Sequence, residues 1–204
     1  MIFFILSSCQ SSFLTDLAAA PGERLYWDDF TDTSGGWPVY SSSDSAFAYA
    51  DGAYHISVIS PAFQTWALSG HAYRDVQVEA DAARLAGPQA NLYGLVCRSL
   101  EQANFYFFII SSDGYYAIGK VSHGEASLLG QEMMAYSAAI AYGEAVNHLR
   151  FDCIGSTLTG YVNGQMVAVT DDSAFRSGDA GLIAGTFDEG GVEISFDNFV
   201  VYKP

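Results

Sequence analysis

Basic residues are scarce in this chain: 8 lysines and arginines stand against 23 aspartates and glutamates, for a formal net charge of −15. A surface of that sign repels nucleic-acid phosphates and anionic lipid headgroups, so neither is expected as a partner. Long apolar runs are missing too. The unbroken run from Met1 to Leu6 falls far short of the ~20 residues a helix needs to cross a bilayer. The marks of several enzyme classes are also absent. His55, His71, His123 and His148 are scattered without metal-ligand spacing. Ser41, Ser42 and Ser43 lack the Gly-x-Ser-x-Gly setting of an activated nucleophile. No phosphate-cradling glycine loop, dinucleotide fingerprint, fixed-period repeat or long low-complexity segment occurs.

What is present is β-structure. Half of the residues are apolar and 15% are aromatic, enough for the core of one two-sheet domain. Alternating stretches predict strands over 23–30, 46–50, 54–59, 63–68, 74–85, 92–99, 104–111, 115–121, 126–129 and 147–153, with more following to residue 202. Asp51-Gly52, Asp113-Gly114 and His123-Gly124 mark turns between them. Asn163-Gly164 is the strongest hairpin signal, because Asn and Gly both tolerate the positive φ that a type I′ turn requires. In the closing strand Val192, Ile194 and Phe196 share a face, but the apolar phase then shifts to Phe199 and Val201. That shift predicts a β-bulge at Asp197-Asn198. Residues 133–145 read as an irregular connection with one helical turn.

The start of the chain carries a cellular signal. Leu6-Ser7-Ser8-Cys9 resembles the lipobox of bacterial lipoproteins, in which the cysteine is lipidated and becomes the mature N-terminus. The resemblance implies a signal segment over 1–9, a tether over 10–22, a domain over 23–204, and an extracytoplasmic, membrane-anchored location. The apolar run is short and carries no positive n-region, so Met1 is expected to be internal to a longer leader. The alternative is a frayed apolar end with an incidental cysteine. Setting Cys9 aside leaves Cys97 and Cys153, an even pair on the apolar faces of their strands. A disulfide between them is expected, with two buried free thiols as the alternative.

The Trp27-Asp28 opening strand, Gly35-Gly36-Trp37, the central YGLVCR and NFYFFIISSDGYYAIGK, the LTGYVNG hairpin and the DNF of the last strand together resemble concanavalin A-like lectin/glucanase (laminin G-like) jelly-roll domains. The similarity includes bacterial modules related to 3-keto-disaccharide hydrolase-like domains and covers nearly all of 23–202. It implies an all-β, two-sheet antiparallel jelly-roll sandwich, an architecture that hosts lectins, glycosidases and adhesion modules alike. Glucanases of this superfamily carry Glu-x-Asp-x-x-Glu on one strand. Here Glu79 and Asp81 supply two members, but position 84 is Arg84. Glu193 and Asp197 are separated by the expected bulge, so no catalytic residue is assigned.

For ligand binding the resemblance points to the sheet face opposite the core. Arg98 is expected there beside Gly94 and Val96, joined by Tyr106, Trp66 and Lys120, through an arginine fork and stacking rings. Asp28, Asp29 and Asp197, at the ends of the first and last strands, are candidate oxygen ligands for a structural calcium ion. No other cofactor is expected. The functional expectation is a non-catalytic binding module for carbohydrate or another cell-surface ligand. A glycosidase and a structural envelope lipoprotein are the alternatives.

Overall fold

A computed structural model describes residues 18–100 and 103–204. Cys9, the signal segment 1–9 and most of the tether 10–22 lie outside the described residues. Strands β1 (Arg24–Asp28), β2 (Tyr40–Ser41), β3 (Ser45–Ala50), β4 (Ala53–Val58), β5 (Gln64–Tyr73) and β6 (Val76–Ala86) come first. They are followed by β7 (Asn91–Leu100), β8 (Asn104–Ile110), β9 (Tyr115–Ser122), β10 (Glu125–Leu128) and β11 (Ala135–Tyr136). The chain closes with β12 (Asn147–Ile154), β13 (Thr157–Val162), β14 (Gln165–Asp171), β15 (Gly178–Thr186) and β16 (Val192–Tyr202).

These strands form two antiparallel sheets. The first runs β14-β13-β12-β6-β16-β4-β3-β2, with β1 paired to β16. The second runs β10-β9-β8-β7-β15-β5, with β11 paired to β9. The chain switches sheets at β4–β5, β5–β6, β6–β7, β11–β12, β14–β15 and β15–β16. This repeated crossing is the jelly-roll arrangement expected for the chain.

Local turn chemistry agrees with the topology. Asn163 and Gly164 sit at φ 51° and 78°, and Asp51 and Gly52 at 52° and 77°, so both two-residue loops use positive φ twice. The predicted bulge is present as a register shift between Asp197 and Val200, with Asn198 at φ 52°. It lets Phe196 and Phe199 both enter the core. Residues 133–145 differ from expectation: in place of a helical turn, Ala135 and Tyr136 pair with Tyr116 and Tyr115. Buried Asn147 pins the rest of that loop by accepting from Ala141 N–H at 2.8 Å and donating to Ala141 C=O at 2.9 Å. Side-chain capture of the backbone outcompetes helix propensity there.

The core fills the space between the sheets. Ile56, Val78, Phe151 and Phe196 of the first sheet face Tyr93, Leu95, Phe108 and Leu182 of the second. Phe108 and Phe151 meet at a ring separation of 5.9 Å. Gly160 on β13 is required by this contact, since a Cβ there would lie 2.5 Å from the Phe108 ring. Cys97 on β7 and Cys153 on β12 are bonded to each other, fully buried, and so tie one sheet to the other.

The disulfide closes a loop with a sequence separation of 56. Chain entropy assigns such a cross-link about 4 kcal/mol. A Cys97→Ala/Cys153→Ala double variant is expected to lose stability of about that size in chemical denaturation. A loss below ~1 kcal/mol would mean that the cross-link constrains the unfolded chain little.

Candidate functional site

Arg98 occupies a different place from the one expected. Cys97 pairs with Tyr106 and Leu100 with Asn104, so β7 carries one extra residue against β8. Arg98 takes up the bulge at φ 54°. The neighbouring strand accommodates it: Asp179 faces Ser99 and Gly181 faces Val96. Gly178 must be glycine at this point, because a Cβ would lie 2.5 Å from the Arg98 carbonyl carbon and 2.4 Å from the Ser99 oxygen. The bulge turns the Arg98 side chain off the outer face and into the end of the sandwich, where it is 1% exposed.

There its N–H groups all find acceptors. Nε donates to the Arg74 carbonyl at 2.9 Å; Nη1 donates to the carbonyls of Gly155 and Phe175 at 2.8 and 3.1 Å. Nη2 donates to Asp75 Oδ1 at 2.9 Å and to the Cys153 carbonyl at 3.0 Å. A guanidinium has five N–H donors and no way to shed its charge, so this set is complete. Asp75 Oδ1 also accepts from Gly155 N–H at 2.9 Å.

Tyr106 and Lys120 converge on the same region from the second sheet. Tyr106 lies on the core face and is fully buried, contrary to expectation, because it pairs with inward-facing Cys97. Its hydroxyl donates to Asp172 Oδ1 at 2.6 Å and accepts from Phe175 N–H at 3.0 Å. Burial, reinforced by the Asp172 carboxylate, pushes its pKa up to about 12. Lys120 holds the other Asp172 oxygen, Oδ2, at 2.5 Å. Burial pulls the Asp172 pKa up, but Lys120 and Tyr106 outweigh it and the net shift is downward. Asp172 therefore stays ionised and clamps the start of the β14–β15 loop.

These anchors surround a cavity of about 600 Å³ at the sandwich end, within the usual range for small-molecule sites of roughly 300–1,000 Å³. Three connections build its wall: Arg74 and Asp75 before β6, Gly155 and Ser156 between β12 and β13, and Ser173, Arg176 and Ser177 between β14 and β15. Arg98, Tyr106 and Lys120 do not line the cavity; they hold the loops that do. Arg74 and Arg176 were missed from sequence. The available signal was scarcity alone, since the chain has 8 basic residues in all.

Trp66 is separate from this cluster. It sits on the outer face of the second sheet, partly buried, with its ring 4.8 Å from that of Phe105. Val96, Phe105, Phe107, Ile109 and Ile183 form an apolar cluster on that face, each no more than 5% exposed. Trp66 packs against this cluster.

The outer face of the first sheet is polar. His148 Nδ1 lies 2.8 Å from Asp81 Oδ1, and Nε2 lies 3.5 Å from Glu79 Oε2. Asn198 donates to Asp81 Oδ2 at 3.0 Å. Arg150 grips Asp152 through two bonds of 2.8 Å and lies over the Tyr161 ring. Asp197 faces Asp81 across the β6–β16 ladder, beside a cavity of about 280 Å³. Its pKa is raised by burial and then by the neighbouring charges of Asp81 and Asp29.

The candidate calcium ligands do not form a ligand set. Asp28 Oδ1 accepts from Phe30 N–H, Asp29 Oδ1 from Thr31, and Asp197 Oδ1 from Asn198 N–H. Each carboxylate is engaged by its own turn. Among the described residues, no group of three or more histidines, cysteines or carboxylates is arranged to hold a metal ion.

No protein-family model and no curated protein matches this sequence. Solved structures do match the fold. A carbohydrate-binding module, CBM66, from Bacillus subtilis is 19% identical with a TM-score of 0.65, covering 82% of this chain and 95% of that one. A Bacillus subtilis protein of unknown function with a galectin-like fold gives 11% identity and a TM-score of 0.66, covering 90% and 97%. A Bacillus licheniformis β-glucanase gives 11% and 0.62, covering 91% and 100%. The chain has the fold of a two-sheet, concanavalin A-like jelly-roll sandwich. At these identities the likeness concerns the scaffold and not the activity.

Two outcomes follow from the geometry. Arg98→Lys leaves buried acceptors unpaired and is expected to cost about 3 kcal/mol or more, measured by denaturant unfolding. A loss within experimental error would show that the hub is not needed. Glu79 and Asp81 hold the His148 pKa up at about 9 against its usual 6.5, so protonated His148 stabilises the fold. That contribution is complete below pH 6.5 and disappears as pH rises through about 9. The His148 ring resonances should titrate in that upper range, and Asp81→Asn should move the midpoint down. A midpoint at 6.5 in the unsubstituted protein would contradict the arrangement.

Proposed function

We propose that this domain is a non-catalytic carbohydrate-binding module working outside the cytoplasm, with its ligand in the end cavity. The observation that carries this reading is the cavity itself. Arginine side chains and serine hydroxyls face a volume of about 600 Å³, on loops held rigid by Arg98 and Asp172. Preorganised polar groups of that kind bind sugars without ordering loops at the moment of binding. The similarity of the scaffold to a carbohydrate-binding module supports the same reading. The buried Cys97–Cys153 disulfide suits an oxidising compartment. A lipid anchor at Cys9 would place the module at a membrane surface.

A second reading, a glycoside hydrolase, rests on Asp81 and Asp197. Directly opposed carboxylates, one with a raised pKa, are the raw material of an acid and a nucleophile. It is the weaker reading because both Asp81 oxygens are already engaged, by His148 and by Asn198.

A glycan array separates the two. Saturable binding without release of reducing sugar, lowered more than tenfold by a bulky Ser156→Trp substitution at the cavity, is the expected result. Release of reducing sugar that is abolished in Asp197→Asn would replace the binding reading with the hydrolase. Absence of binding to every glycan would overturn the binding reading.

A further inference from the structure

The charge around the end cavity runs against that of the rest of the molecule. The protein carries −15 overall, yet Arg74 and Arg176 line this one cavity and Arg98 lies behind its wall. The carboxylates nearby are engaged. Asp75 Oδ1 is held by Arg98 and by Gly155 N–H, and Asp172 by Lys120 and Tyr106. Arg176, by contrast, is exposed and pairs with no carboxylate among the described residues. Three other arginines have such partners: Arg84 lies 3.7 Å from Glu144, Arg98 2.9 Å from Asp75 and Arg150 2.8 Å from Asp152, while Arg24 lies over the Trp27 ring. In a chain with nearly three acids for every base, an arginine without a carboxylate beside a second arginine is a local excess of positive charge.

That excess specifies the ligand. Resting on the binding reading above, we propose that the end cavity takes acidic glycans, with a sugar carboxylate gripped by Arg176, the Arg74 charge adding to the local field, and the ring hydroxyls met by Ser156, Ser173 and Ser177. A guanidinium fork matches a planar carboxylate through two parallel hydrogen bonds, and serine hydroxyls both donate to and accept from sugar hydroxyls. The acidic excess over the chain repels the same ligand, so the field favours approach at this end of the sandwich. Asp75 in the wall limits the site to ligands of low charge density, one carboxylate per ring.

The test is titration calorimetry of the intact domain with paired probes that differ in charge. Trigalacturonate is compared with its methyl ester, 3′-sialyllactose with lactose, and a sulfated, uronate-free galactose oligomer tests for a general anion site. At least one carboxylated probe is expected to bind at least tenfold more tightly than its neutral partner, with affinity falling as salt rises. Arg176→Ala should remove that preference, and Arg176→Lys should keep part of it through charge alone. Circular dichroism of each variant distinguishes lost binding from lost fold. Equal binding of neutral and acidic partners, or a preference unchanged in Arg176→Ala, overturns the inference while leaving the binding reading in place. Tighter binding of the sulfated probe than of either carboxylated one overturns the carboxylate assignment. Absence of binding to every probe here and to every array glycan overturns both.

Discussion

A guanidinium taken out of water must find an acceptor for each of its five N–H groups, and one end of this sandwich is organised around that demand. Arg98 draws in carbonyls from the β5–β6 turn, the end of β12, the β12–β13 turn and the β14–β15 loop. Those segments are far apart in sequence and belong to both sheets. They meet because the charge cannot be buried otherwise. The disulfide next to it performs the same joining covalently, and Cys153 takes part in both links. The loops that line the end cavity thereby inherit the rigidity of the core.

Electrostatics then gives this end its character. Arg84, Arg98, Lys120 and Arg150 are paired with nearby carboxylates, and the acids far outnumber the bases over the chain. On the outer face of the first sheet the carboxylates are tied into a network with His148, Arg150 and Asn198. Two polar regions therefore differ in kind. One is an internally satisfied carboxylate network on a flat sheet. The other is a recess on which the exposed Arg176 opens. A ligand gains more from the second, where Arg176 has no carboxylate to give up among the described residues.

Most of the scaffold was legible from local chemistry. Asn163-Gly164 and Asp51-Gly52 announced their turns, and the phase change from Phe196 to Phe199 announced the bulge at Asn198. Period two also placed Cys97 and Cys153 inward, and they are bonded. The same period misled at Arg98. Counting along 94, 96 and 98 put it on the outer face, but an extra residue after Cys97 reverses direction there. No apolar phase shift marks that bulge, since Arg98, Ser99 and Leu100 carry no clean alternation. Tyr106 was misplaced because its strand is apolar on both faces, and alternation holds no information when both faces are buried.

The amino-acid sequence by itself therefore determined the all-β class, the hairpins, the closing bulge and the inward facing of Cys97 and Cys153, because each follows from short-range backbone preference or from one-sided burial. Tertiary structure alone decided where the cavity lies and which side chains face it. Arg74, Ser156 and Arg176 sit on separate connections whose convergence depends on strand order across two sheets and on one buried charge collecting its acceptors. Strand order and charge burial are properties of the assembled chain, and no local run of residues encodes them.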